Sequence, residues 1–515
     1  MAAGLFNRSF KNKIMEEFVA DLSSANSKYY ICFGKSSAWD DGFDGLYFDD
    51  NTPPAANASL TTSYYDVYKD LLYGKIVDPT DFNYLARKIT WTSNTVYSYF
   101  DSTDADLYNK DFYAVNQYGS VYKCLFNNYG AKSTVEPTSI LPNIDFNTQP
   151  DNYKWKYLFT INYAKNQKFT TSSYIPIVPD SQVLYYSESG AIHTIVVDNP
   201  GSGYISANGF ISSIVDNYTV RLDSIGPSSV SGSYNLSTMN IIAGSGIDDS
   251  YTISNYVVNT SGKYVTSSTP LNYLDTTSYF YIAPTVTVTG DGSSSRYNGQ
   301  ILAYPIVNTF NGSISSINVI DRGGNFTYGT VDISANVLYG SGATAHAIIS
   351  PPGGHGSDVV SELGCDTLGL SVDITLQDDL PDWTDYRQIS LLYNPISSDT
   401  NQLYSNTSFI QITQLATAYF AGLIPKGNKI RGFSSGATAE VLYMNSTTIY
   451  ITNPVGRFID YETIVDDTTG TSTIITIINN YDLVPNTGEI FYYKNMSPVT
   501  RSGATLERVQ LYFKI

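Results

Sequence analysis

The sequence predicts a mainly β protein with a minor α component, arranged as a β-sandwich core with a mixed α/β N-terminal part and two inserted all-β domains. The chain of 515 residues contains 45 tyrosines, and tyrosine, threonine, valine and isoleucine suit a pleated, half-buried surface. Short alternating runs of apolar and polar residues end at glycine- and asparagine-rich turns, which is typical of successive strands. The length suits three to four domains at about 150 residues each.

Two helices are predicted in the N-terminal part. Apolar side chains recur every four residues at Phe10, Ile14, Phe18 and Leu22, a spacing that places them on one helix face. Asn7 is a suitable N-cap for this helix. A second helix is predicted over residues 63–73, where tyrosine, valine and leucine recur on one side.

Strands are predicted in four core segments. Residues 111–124 (DFYAVNQYGSVYKC) predict two strands around a Tyr-Gly turn, and residues 153–161 (YKWKYLFTI) predict another. Further strands are expected near Val183–Tyr186 and Leu370–Leu376, within one core domain.

The predicted division of the chain follows changes in composition. Three segments have a similar composition and are interpreted as the core: residues 1–190, 351–401 and 483–515. Residues 191–350 and 402–482 are poorer in charge and richer in small polar residues. These two segments are interpreted as insertions, which proteins tolerate where chain ends lie close together.

An internal repeat supports the first insertion. Residues 192–204 and 314–326 both contain Ile-x-x-Ile-x-Val, then aspartate, glycines and an aromatic residue. A second echo, SGATA, occurs at Ser341–Ala345 and Ser435–Ala439. These echoes predict duplicated small β units, with glycine where turns need positive φ.

The charge balance excludes two classes of partner. Lysine and arginine total 29 against 47 acidic residues, a net charge of −18. Nucleic acids and anionic membranes attract basic surfaces, so neither is expected as a partner.

The first 18 residues carry charges where a signal peptide needs an apolar run, which predicts synthesis in a cytosol. Cys32, Cys124 and Cys365 are expected to be small buried apolar residues.

No catalytic, cofactor or metal site is predicted, and the protein is not expected to be an enzyme. His193 and His346 are interpreted as surface or turn residues, and His355, within Gly353–Gly356, as a tight-turn residue. The acidic run Asp40–Gly45 lacks the ligand spacing of a calcium loop and is interpreted as solvated. Glycines at Gly290–Gly292 and Gly340–Gly342 are interpreted as turns, because no lysine-containing phosphate loop follows a strand.

Six motifs in order carry a resemblance to a known family. They are Tyr29–Lys35 with Trp39, Arg87–Trp91 with Tyr97, Val121–Leu125, Ser133–Pro137 followed by Tyr153–Phe159, Arg387–Ser390 followed by Asn394–Pro395, and Thr487–Tyr492 with Asn495 and Pro498. Together they resemble the baseplate wedge subunit of contractile-tailed (T-even-type) phages, the gene product 8 family. Met496-Ser497 stands where the family has an arginine. The two insertions have no counterpart in shorter members and resemble modules of cyanophage virion proteins.

The resemblance implies a structural subunit of the tail baseplate in the virion, assembled in the host cytoplasm. It implies a homodimer that joins other wedge proteins and supports sheath contraction and genome delivery. An alternative is a phage adhesin or tail-fibre-like protein that binds a glycan; a weaker one is a glycan-cleaving β protein. A dimeric mass would favour the wedge subunit, whereas a trimeric mass would favour the adhesin.

Overall fold

The computed structural model describes residues 7–39, 48–57, 61–143, 147–294, 301–334, 339–375, 381–418, 422–500 and 507–515. These residues form a mainly β protein with a minor α component, as predicted. The chain divides into two compact units, the first comprising residues 1–83 and 367–515 and the second residues 84–366. The unit boundaries do not coincide with the five segments proposed from composition.

The described residues include two 3₁₀ helices, Pro79–Asp81 and Leu107–Asn109, and five α-helices, which are short apart from the first. They are α1 (Arg8–Leu22), α2 (Thr61–Lys69), α3 (Tyr163–Phe169), α4 (Ser181–Tyr185) and α5 (Val359–Glu362). The described strands are β1 (Tyr29–Gly34), β2 (Leu71–Ile76), β3 (Phe82–Arg87), β4 (Tyr113–Val115), β5 (Ser120–Phe126), β6 (Asn147–Thr148), β7 (Lys154–Thr160), β8 (Tyr174–Pro176), β9 (Ile192–Ser202), β10 (Ala207–Ile214), β11 (Thr219–Leu222), β12 (Thr238–Ala243), β13 (Ser250–Asn259), β14 (Gly262–Ser267), β15 (Tyr279–Ala283), β16 (Thr285–Gly290), β17 (Leu302–Val307), β18 (Ile314–Asp321), β19 (Gly329–Ser334), β20 (Ser341–Ile349), β21 (Thr367–Ile374), β22 (Asp385–Tyr393), β23 (Ser408–Ile410), β24 (Thr413–Thr417), β25 (Lys429–Gly432), β26 (Thr438–Met444), β27 (Thr448–Val455), β28 (Thr463–Asp466), β29 (Ser472–Asn479), β30 (Glu489–Thr500) and β31 (Glu507–Lys514).

The helix predictions have mixed outcomes. The first helix is confirmed, and the Asn7 side chain accepts a hydrogen bond from the Phe10 backbone N–H. The second helix is shorter than predicted, because the chain becomes strand β2 at Leu71. The strand predicted at Val183–Tyr186 is wrong, because this segment forms the end and the C-cap of α4. Asp180 caps the start of α4 by accepting hydrogen bonds from two backbone N–H groups. Position 376 of the Leu370–Leu376 strand lies outside the described residues.

The first unit contains a β-sandwich. One layer is a five-stranded sheet in the order β23-β2-β1-β22-β30, and the other includes the antiparallel pair β21–β31. Alternate side chains such as Ile31, Leu391 and Val372 from the two layers share one core. The opposite face of the five-stranded sheet, with Tyr30 and Leu392, packs against apolar residues that include those of α2.

A closed six-stranded barrel completes the first unit. Its strand order is β24-β27-β26-β25-β28-β29. Leu415, Val441 and Ile464 are among the residues of its separate apolar core. Strand β23 falls within the segment 402–482 but pairs with β2 of the sandwich, so this barrel begins after Ile410.

The second unit contains the sheet β4-β5-β7-β6, the pair β3–β8 and two further β structures. The strands predicted over residues 111–124 and 153–161 are confirmed, and Gly119 adopts a φ of 78° in the turn between β4 and β5. Among the described strands, none from residues 191–350 shares a sheet with β7. One of the further structures is a closed barrel in the order β10-β11-β14-β13-β12-β15.

The other is a six-stranded sheet, here called the repeat sheet, in the order β16-β19-β20-β9-β18-β17. It contains both copies of the predicted repeat, because β9 and β18 pair antiparallel at Ile195 and Ile317, which are corresponding positions of the two copies. A pair of corresponding residues at the centre of an antiparallel contact defines a local two-fold axis. The strand order is consistent with this axis: β9 has β20 as its other neighbour, and β18 has β17 in the corresponding place.

The loops around the repeat sheet obey the same symmetry. The Tyr204 N–H donates to the Gly312 carbonyl at 2.9 Å, and the corresponding Phe326 N–H donates to the Gly190 carbonyl at 3.1 Å. Both aromatic side chains are buried in the core of the sheet. Corresponding loop positions Gly203 and Asn325 both have positive φ, because glycine and asparagine tolerate the left-handed region best.

Candidate functional site

Three of the family-like motifs become adjacent strands in the first unit. β22 pairs with β1 on one side and β30 on the other, which aligns Ile31, Leu391 and Tyr492 across the sheet. The turn after β22 also meets the start of the final motif, because the Ile396 N–H donates to the Thr487 hydroxyl at 3.1 Å. Motifs that lie far apart in the sequence therefore form one continuous structure.

A polar network, here called the Arg387 network, joins these motifs at one end of the sheet. The Arg387 guanidinium, 8% exposed, donates two hydrogen bonds of 2.8 Å to the Asp50 carboxylate and a third to the Ser36 carbonyl. The hydrogen bonds from Arg387 hold the pKa of Asp50 at about 2. A bidentate arginine–carboxylate pair fixes geometry as well as charge, so Arg387 anchors the loop after β1.

The same network reaches β30. The Gln388 amide donates to the Asn495 side-chain oxygen at 2.8 Å, and the Asn495 amide donates to the Pro54 carbonyl at 3.0 Å. The Trp39 indole N–H donates to the backbone carbonyl of Met496 at 3.0 Å. Because that contact uses the backbone carbonyl, it does not depend on which side chain stands at position 496.

The remaining motifs assemble in the second unit around aromatic rings. Trp155 stacks on Tyr153 at 5.7 Å between ring centroids, and Tyr97 meets the edge of Trp155 at 5.3 Å. The Trp91 indole N–H donates to the Ser133 hydroxyl, which in turn donates to the Asp151 carboxylate. This cluster is a packed core, and its polar atoms hold loops in place.

One of the three histidine predictions is wrong. The interpretation of His193 as a surface or turn residue is wrong, because it lies on the buried face of β9. His355 does lie in a turn, but it is buried with its ring centroid 5.1 Å from that of His193. Burial and the nearby lysines 123 and 156 lower the pKa of His193 to about 3. His346 lies on β20, half-exposed and 2.7 Å from the Asp198 carboxylate.

A buried ion pair accompanies these two histidines and was not predicted from the sequence. Lys123 of β5 contacts Glu362 of α5, and their side chains are 0% and 3% exposed. Lys156 lies close enough for its pKa to fall to about 8, through burial and the charge of Lys123. The sequence did indicate a buried lysine, because Lys123 lies within the apolar run VYKCLF. It did not indicate the partner, which lies 239 positions away in the chain.

The other predicted positions have structural roles. The Asp291 carboxylate accepts hydrogen bonds from the backbone N–H and the hydroxyl of Thr327, so the Gly290–Gly292 segment closes a loop. Gly340 and Gly342 both have positive φ at the start of β20. All three cysteines are buried, as predicted. The acidic run Asp40–Gly45 lies outside the described residues, and the described part of the chain contains no group of three or more potential metal ligands.

An open groove lies within the first unit, beside the barrel. Its volume is about 1360 Å³, and hydroxyl, amide and charged side chains line most of it. Arg457, Asn479, Asn480 and Tyr481 contribute to its wall. The groove contains hydrogen-bonding groups suited to a polar ligand.

Comparison with known proteins gives no assignment, because no family model matches the chain and no curated protein matches it. In the described part of the chain, no helix has the length and apolar character needed to cross a membrane.

Proposed function

We propose that this protein is a structural subunit of a phage tail baseplate wedge, located in the virion and assembled in the host cytoplasm. It joins a second copy of itself and other wedge proteins, and it supports sheath contraction and genome delivery without catalysing a reaction. The proposal needs no cofactor, nucleic acid or membrane.

The observation that carries the proposal is the Arg387 network. Three separate family-like motifs meet here: Trp39 and Arg387 both donate to the Asp50 carboxylate, and Asn495 accepts from Gln388, the residue after Arg387. Such convergence is expected if the motifs mark a common core. It supports the resemblance independently of the order of the motifs in the sequence.

The charge supplies a second, weaker argument. Copies of a chain with net charge −18 repel one another, so its wedge partners are expected to offer basic patches around their contacts. Association should then weaken as salt rises, because exposed charges are screened over about 8 Å at physiological ionic strength.

Electron microscopy of the whole virion tests the location directly. The proposal expects density matching the sandwich and barrels in the baseplate, and density confined to a fibre tip would contradict it. A biochemical test compares Arg387→Ala with Arg431→Ala, which breaks an exposed ion pair with Asp467 in the barrel. We expect only the first variant to lose wedge assembly, whereas equal assembly by both would remove the main support.

The glycan-binding alternative rests on the polar groove near Arg457 and Tyr481. Amide, hydroxyl and aromatic groups together suit a polyhydroxylated ligand. Binding of the full chain to a panel of host-surface glycans, lost in Tyr481→Ala, would favour the alternative, particularly with a trimeric mass in solution.

A further inference from the structure

The contact between Lys123 and Glu362 combines an amine, a carboxyl group and a dry environment. Lys123 lies in the central part of β5, where every residue is buried, and Glu362 ends the short helix α5. The two residues are 239 positions apart in the chain but belong to the same compact unit. Hydrolysis of any product formed here would require water to enter the core.

Burial favours the uncharged form of the Lys123 amine, whereas Glu362 and the face of the Phe100 ring favour the charged form. Its Nζ lies 4.5 Å from the centre of the Phe100 ring, and burial lowers the pKa of the amine, with the Glu362 charge opposing that effect. A neutral amine carries the lone pair that a nucleophile needs. As an ion pair, the same two groups would contribute little to stability, because desolvation offsets much of their attraction.

The carboxyl group of Glu362 is oriented by the backbone. Its Oε1 atom accepts hydrogen bonds from the Gly356 N–H at 2.7 Å and the Asp358 N–H at 3.3 Å. Its Oε2 atom contacts the Lys123 amine. Two N–H donors at one oxygen stabilise the negative charge that develops there when a nucleophile attacks the carboxyl carbon.

We propose that Lys123 and Glu362 become joined by an intramolecular amide bond. The ammonium of Lys123 first passes one proton to Oε2 of Glu362; the resulting neutral amine attacks Cδ, the N–C bond forms, and Oε1 holds the negative charge of the intermediate. The Cδ–Oε2 bond then breaks, and Oε2 leaves as water after taking one proton from the nitrogen. One amine and one carboxylic acid give one amide and one water, with no oxidant, reductant or activating group.

Placement makes this condensation reasonable without an external enzyme. Well-oriented groups within one molecule react as if at effective concentrations of about 10⁵ M or more, and the buried site excludes the water that would reverse the reaction. The resulting bond would fasten β5 to α5 across a long segment of chain. The amide is independent of the baseplate role, since it concerns only the second unit's own chemistry.

The mass of the intact, denatured full-length chain tests the proposal. We expect a mass lower than that of the sequence by one water molecule. Trypsin should fail to cleave after Lys123, and fragmentation should identify residues 111–132 linked through Lys123 to Glu362 in residues 323–387. The wild-type chain alone decides the question, so the result does not depend on a variant folding correctly.

Variants and an internal control sharpen the result. Lys123→Arg and Glu362→Ala should each restore the full mass. Lys110 pairs with Asp104 at the surface, and it should be cleaved by trypsin and carry no link. A wild-type chain of full mass with normal cleavage after Lys123 would overturn the proposal. So would a water loss that maps to Asp291-Gly292, where a cyclic imide can form, or a link through Lys156.

Discussion

The two copies in the repeat sheet differ most in the length of chain between their aromatic residue and the next strand of the sheet. In the second copy, Phe326 is followed by Thr327 and Tyr328, and β19 begins immediately. In the first copy, an entire closed barrel stands between Tyr204 and β16. The flanking strands nevertheless occupy corresponding places, since β16 pairs with β19 and aligns Thr287 with Asp332 at the centre.

The difference shows how this chain accommodates an insertion. The barrel's first and last strands, β10 and β15, pair with each other, which places Ala207 opposite Ile282. The barrel therefore enters and leaves the repeat sheet at neighbouring points. Because the cost of closing a loop grows only as about (3/2)RT ln n, a long segment with adjacent ends disturbs its host little.

The largest expected effect comes from the buried aromatic residues. Tyr204→Ala and Phe326→Ala should each lower the free energy of unfolding of the second unit by about 3–5 kcal/mol, since each leaves a large cavity. Urea denaturation followed by a probe in the second unit would measure both. Tyr204 also accepts a hydrogen bond from the Ala343 N–H, so Tyr204→Phe should lose about 1 kcal/mol. If alanine lowered the free energy of unfolding strongly at only one of the two sites, the two aromatic residues would not have equivalent roles in the two copies.

A smaller loss of stability is expected from substitution of Gly190 and Gly312, whose carbonyls accept hydrogen bonds from the backbone of the two aromatic residues. Gly190 and Gly312 have φ of 62° and 69°, and a Cβ at either would overlap the backbone of the opposite copy. Gly190→Ala and Gly312→Ala should each cost about 2 kcal/mol or more through backbone strain and overlap. Gly342→Ala is the control, because it has positive φ of 82° but no atom within 4 Å of its added Cβ. Equal losses at all three sites would mean that strain alone matters.

The copies also differ in acid sensitivity, because His193 corresponds to Ser315. The pKa of His193 is lowered from 6.5 to about 3 by burial, so the unfolded chain binds a proton that the folded chain does not. The stability from this residue is therefore complete above pH 6.5 and is lost as pH falls toward 3. The loss should reach about 1.4 kcal/mol per pH unit within that window.

Chemical denaturation of the wild type and His193→Ser between about pH 7 and pH 4 would measure this difference. The variant should show a shallower decline, while His355, also buried with a lowered pKa, keeps the remaining sensitivity. If the free energy of unfolding fell equally steeply with pH in both proteins, residues other than His193 would cause the acid sensitivity.

Local features of the fold could be predicted better than distant ones. The helix begun by Asn7 and the strand pair around Gly119 depend on neighbouring residues, and both are confirmed. The repeat was visible as a pattern, but the alignment of Ile195 with Ile317 depends on sheet pairing. The buried contact between Lys123 and Glu362 could not be predicted, because no local pattern connects residues so far apart.

The smallest expected effect comes from removing the inserted barrel. Residues 205–283 would be replaced by the Thr-Tyr dipeptide that joins Phe326 to β19 in the second copy. Since β16 and β19 occupy symmetric places, the dipeptide should span the gap. The paired strands β10 and β15 already hold the two ends of the barrel together, so the flexible connection shortens by only a few residues and its closure entropy should change by no more than about 1 kcal/mol. The variant should remain soluble and cooperative in urea denaturation, with hydrogen-exchange protection retained in β9, β16 and β18.

A control that replaces residues 329–334 instead should lose this protection, because β19 lies within the repeat sheet. Loss of protection in the barrel-deleted variant would show that the barrel is an integral part of its host.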